Sequence, residues 1–161
     1  MVDRVDQDDG LPRRSFYNDL SRREFRSLIF HLLYAMEAFD YTISLDAVLD
    51  NFNKGFDLDI PFDSEVVKIA QAVIDNRDEL DMQIKPLLIN WRFERIGICT
   101  KLILRMALWE LLHTDTAPNI IINEAIELAK CFSESDAYKF VNGILDEAVK
   151  NLGKEEKKAD V

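Results

Sequence analysis

The chain is poor in most of what builds a metal or catalytic centre. It has two histidines, His31 and His113, and two cysteines, Cys99 and Cys131. The histidines lie far apart without the paired spacing of a zinc site, and two distant thiols do not make a disulfide framework. Lone thiols suit a reducing interior, so the expected compartment is the cytoplasm. Five Gly and four Pro in 161 residues are too few for a turn-rich β fold and favour long helices. No apolar run approaches the roughly 18 residues of a membrane span, and no signal-peptide pattern opens the chain. Neither a GxxxxGKS/T phosphate loop nor a GxGxxG fingerprint occurs, and no Ser or Cys has a base placed near it in sequence. No enzyme activity, metal, cofactor or membrane association is expected.

Positive charge is also scarce. Thirty Asp and Glu face twenty Lys and Arg, for a formal net charge of -10. Phosphate binding draws its affinity from Lys and Arg, so this balance argues against a nucleic-acid partner. The distribution argues less strongly. Four Asp fall in the first nine residues, whereas Arg13, Arg14, Arg22, Arg23 and Arg26 crowd the next seventeen against only Asp19 and Glu24. A basic patch on an acidic body fits that order of charges.

What the chain does have is helical periodicity. Residues 1–20 show none and read as a flexible N-terminal tail. Ser21 with Glu24 forms a capping-box pattern, followed by Phe25, Leu28, Ile29, Leu32, Leu33 and Met36 at helical spacing, ending near Phe39. Ser44 opens a second helix, with Gly55 as its expected C-cap. Asp63 or Ser64 starts the next, and helical pattern runs to about Trp91 with a break near Asn76 and a constraint at Pro86. From Glu94 to His113 the pattern is apolar round most of its circumference, which predicts the centre of a bundle. Pro118 starts a sixth helix that ends near Phe132. Ser135 or Asp136 starts a seventh, and residues 153–161 read as a flexible charged tail. The helical domain is expected over residues 21–152.

Three phrases carry a resemblance to a known family: LILRMALWELL from Leu102, INEAIELAK from Ile122 and KFVNG from Lys139. In this order and spacing they resemble the bacterial transcription antitermination factor NusB, and the likeness extends from about Arg22 to Leu152. The resemblance implies an all-α fold, a compact antiparallel helical domain of about seven helices arranged as two packed small bundles. It also implies binding of single-stranded boxA-type RNA together with a NusE-type small-subunit ribosomal protein. The pair would dock on the RNA polymerase elongation complex and support ribosomal RNA synthesis.

On a helical wheel Arg23, Arg26, Phe30 and Tyr34 fall along one flank of the first helix. Read from the residues alone, the aromatic rings cover the core edge and the arginines are solvated. The resemblance makes the same segment an RNA contact through Arg22, Arg23, Arg26 and Tyr34. It further implies RNA contacts at Glu94, Asp136, Lys139, Phe140 and Asn142, with Phe140 stacking on a base. Gly143 is expected to permit close helix packing. Tyr34, Thr100 and Lys101 are expected at the protein partner. Thr100 stands where relatives often carry an acidic residue, and Phe25, Ser27 and His31 depart from the usual Ala, Glu and Gln. On residues alone, Glu94, Lys101 and Arg105 are salt-bridge partners on one polar stripe. Two further readings stay open: a protein-only helical adaptor, as monomer or homodimer, and the RNA-gripping module of some RNA cytosine methyltransferases. No methyl-donor-binding domain is expected within the 161 residues.

Overall fold

Ser21 Oγ accepts the Glu24 backbone N–H at 3.1 Å, and the Ser21 N–H donates to Glu24 Oε1 at 3.1 Å. Two donors that a helix start leaves without partners are thereby satisfied, and α1 runs from there over Arg22–Ala38. The computed structural model describes residues 17–153. A short 3₁₀ turn, Tyr17–Asp19, precedes α1, so the last residues of the expected tail are ordered into a turn. Residues 1–16, with Arg13 and Arg14, and residues 154–161 lie outside the described residues.

The periodic positions of α1 become core: Phe25, Leu28, Ile29, Leu32, Leu33 and Met36 are all buried. They belong with Leu45, Val48 and Leu49 of α2, Leu45–Phe56, which packs against α1. Ser44 Oγ caps α2 by accepting the Ala47 N–H at 3.2 Å. Its C-terminus corrects the sequence reading. Gly55 lies inside the helix, and Asp57 takes the left-handed position at φ 54, a conformation Asp tolerates better than most residues. Asn53 then clamps the following connection, donating to the Ile60 carbonyl at 3.0 Å and accepting the Ile60 N–H at 3.1 Å.

The chain divides after Lys68 into two compact units. Helix α3, Glu65–Asp75, runs across that division. The predicted break falls at Asn76, whose side-chain amide donates to the Ala72 carbonyl at 2.7 Å, and α4 follows over Arg77–Ile84. Pro86 lies in a 3₁₀ turn, Lys85–Leu87.

The predicted helix from Glu94 to His113 resolves into two elements. Phe93–Arg95 is a separate 3₁₀ turn, and α5 begins only after Gly97, at Ile98, ending at His113. Helix α5 packs against α4, α6 (Pro118–Phe132) and α7 (Ala137–Asn151), and α6 packs against α7. Every residue from Leu102 to Leu108 is buried, as expected of a helix apolar on most sides. One of them is charged. Arg105 Nε and Nη2 donate to the two oxygens of Asp81 at 2.7 and 2.8 Å, a bidentate pair joining α5 to α4. The described residues thus contain seven α-helices, and the fold is the all-α one expected.

Candidate nucleic-acid interface

In the second unit, the start of α7 faces the segment before α5. Asp136 holds the left-handed conformation, φ 67, at the N-cap position of α7, and its side chain caps no backbone N–H. That turn sets the carboxylate beside the Lys139 ammonium, at 3.6 Å, one helical turn on. Phe140 follows, half-buried, and its ring meets Trp91 with centroids 5.3 Å apart at 57°. The two rings border a cleft of about 520 Å³ that Arg95, Thr100, Glu134, Asp136 and Lys139 also line.

The cleft combines what a single-stranded nucleic acid engages: aromatic faces for bases, cations for phosphates, and carboxylates that accept from base amino groups. It offers little for bond chemistry. The thiol nearest in sequence, Cys99, is half-buried, and desolvation pushes its pKa up, which keeps it protonated and poorly nucleophilic. Among the described residues no group of three His, Cys, Asp or Glu is placed to hold a metal ion. None of their helices is long and apolar enough to cross a membrane.

Residues 23–150 match the NusB family. The chain belongs to that family. The transcription antitermination protein NusB of Staphylococcus haemolyticus is 41% identical over 126 residues, covering 78% of this chain and 97% of that protein. The protein of the same name from Macrococcus caseolyticus is 37% identical over 132 residues, covering 82% and 98%. Among solved structures, T. maritima NusB superposes with a TM-score of 0.70 at 29% identity, covering 81% of this chain and 92% of that one. The function is the general one of NusB-family antitermination factors, which are adaptors without catalysis.

The structure brings Thr100 to the cleft lined by Asp136, Lys139 and Phe140, a neighbour that sequence separation concealed. Trp91 and Arg95 complete the cleft, and sequence reasoning missed both. The signal was present in WRFER, residues 91–95, where basic and aromatic residues alternate, but Trp91 read as the end of a helix. Other expected site residues are placed differently. Glu94 is exposed in the 3₁₀ turn, not on α5. Thr100 is only 6% exposed, and at the edge of the cleft its hydroxyl donates to Ser133 Oγ, at the C-terminal end of α6, at 3.2 Å. Lys101 sets its ammonium 4.7 Å from the Phe93 ring centre, and Arg105 is buried against Asp81, so the expected polar stripe does not exist as one surface.

The α1 residues belong to the first unit. Arg22 and Arg23 are exposed, the former with its guanidinium 4.5 Å from the Phe25 ring centre. Tyr34 is 48% exposed. Arg26 and Phe30 are buried at 7% and 3%, which corrects the picture of one open basic and aromatic flank. Arg26 stands next to the apolar arc on the wheel, and its long stem can lie along that surface while the guanidinium is engaged within the chain.

On α7, Asn142 and Gly143 are exposed. The expectation that Gly143 permits close helix packing is corrected, because a Cβ built there meets nothing within 4 Å. Gly143→Ala is therefore expected to raise stability by about 0.5–1 kcal/mol, the helix-interior cost of glycine. A denaturant midpoint that fails to rise would show that this backbone needs glycine for a reason internal to the fold.

Proposed function

We propose that this chain binds single-stranded boxA-type RNA jointly with a NusE-type ribosomal protein. The pair acts in the cytoplasm on the RNA polymerase elongation complex and supports transcription of ribosomal RNA. The observation that carries the reading is the Trp91–Phe140 aromatic pair bordering a cleft with Lys139, Arg95 and Asp136. Rings supply sequence-tolerant stacking, cations hold phosphates, and the carboxylate selects bases that carry donors. Arg22, Arg23 and Tyr34 on the exposed side of α1 supply further contacts, and Asn142 extends the polar edge of α7. A net charge of -10 keeps the affinity of the chain alone low. Joint binding with a partner that adds its own phosphate contacts raises it.

The test is a titration of a short boxA-type RNA and a scrambled control, with and without the ribosomal protein. Sequence-selective binding that tightens with the partner is the expected result. Partner binding with no RNA response in either condition would replace this reading with a protein-only adaptor.

A further inference from the structure

Between Lys85 and Lys101 the chain carries four cations, Lys85, Arg92, Arg95 and Lys101, against the single carboxylate of Glu94. Four exposed lysines elsewhere pair with a carboxylate three or four residues away, Lys54 with Asp50, Lys130 with Glu127, Lys139 with Asp136 and Lys150 with Glu147, whereas Lys68 on α3 stands alone among the described residues. None of the four cations pairs with a carboxylate among the described residues. In a chain of net charge -10, where carboxylates are abundant, this is a distinct local field.

Lys85 and Lys101 come from different elements, yet both bring their ammonium groups over the Phe93 ring, at 5.1 and 4.7 Å from its centre. A cation held over a ring keeps its charge while its long stem loses freedom, so less order has to be imposed when an anion arrives. The same segment holds Trp91, 60% exposed, a high value for so large an apolar side chain. Trp91 and Arg95 both line the cleft beside Phe140, which makes the cationic segment continuous with it.

We infer that residues 85–101 form a phosphodiester-binding track leading a single RNA strand into the cleft, with Lys85, Arg92, Arg95 and Lys101 on its phosphates and Trp91 stacking a base. The inference rests on the RNA-binding reading above and adds to it a cationic element separate from the arginines of α1. The interleaving of rings with cations favours a nucleic acid over an acidic protein segment. Such a segment would satisfy the cations but bring no base to the part of the Trp91 ring that Phe140 leaves exposed.

The experiment follows binding of a fluorescent boxA-type RNA to the full chain by anisotropy, over a range of salt concentrations. Each phosphate contact to a single strand contributes ~0.7 to the slope of log affinity against log salt, so a Lys85→Gln, Lys101→Gln double variant flattens it by roughly 1.4. Lys150→Gln, which alters a paired lysine on α7, leaves the slope unchanged. Trp91→Ala weakens binding about 5- to 100-fold at fixed salt, and Trp91→Phe restores most of it. An unchanged slope and unchanged affinity in these variants, with Phe140→Ala still weakening binding, would overturn the track and keep the RNA reading. Absence of RNA binding by the unaltered chain, with and without the ribosomal protein, would overturn both.

Discussion

Replacing Asp81 with alanine is expected to destabilise the protein by about 3–5 kcal/mol, the largest effect of any single polar substitution described above. Arg105 lies in the fully buried stretch of α5, and its two hydrogen bonds to Asp81 at 2.7 and 2.8 Å set a full negative charge against its guanidinium. The side chains are 10% and 13% exposed, so water cannot take the place of the lost carboxylate without opening the contact between α4 and α5. An uncompensated buried charge is the penalty, more than the loss of the pair itself. Arg105→Met combined with Asp81→Leu is accordingly expected to cost far less than Asp81→Ala alone, because neither charge is then left buried. Urea unfolding of the single and double variants measures both. Equal destabilisation by Asp81→Ala and by the double change would show that packing around α4, and not charge, accounts for the loss.

Phe140→Ala is expected to weaken RNA binding by about 1–3 kcal/mol, the usual contribution of one stacked base. The ring is half-buried and leans on Trp91 at 5.3 Å, so the substitution both removes a stacking face and frees its neighbour. The effects of Phe140→Ala and Trp91→Ala should therefore not add. RNA affinity and thermal unfolding measured on the same variant separate the two roles Phe140 can play. Affinity lost with the unfolding midpoint nearly unchanged marks a binding platform. A fallen midpoint with affinity preserved marks a residue that belongs to the core.

Several elements were legible because their causes are local. Ser21 and Glu24 wrote the start of α1, Pro118 wrote the start of α6, and the apolar positions of α1 all became core. Errors arose where a helix-like pattern continued through a break that side-chain periodicity does not register. The pattern reads as helix up to about Trp91 and again from Glu94, yet Asn90 at φ 67 and Gly97 bound a segment whose only regular element is the 3₁₀ turn Phe93–Arg95. That error moved Glu94 onto the wrong element and hid Trp91. Gly55 was misread for a related reason, since glycine signals freedom at φ above zero without requiring it, and Asp57 took that conformation.

The all-α class, most helix starts and the family were already written in the order of residues, because capping, periodicity and the phrases around INEAIELAK and KFVNG are properties of near neighbours along the chain. Tertiary structure alone decided which polar groups face outward. Arg26 and Arg105 are as charged on paper as Arg23 and Arg95, but burial engages the first two within the chain and leaves the second two exposed. Only the folded chain could place Trp91 against Phe140, some fifty residues later, because a cleft is formed by contacts between distant elements and not by any one of them.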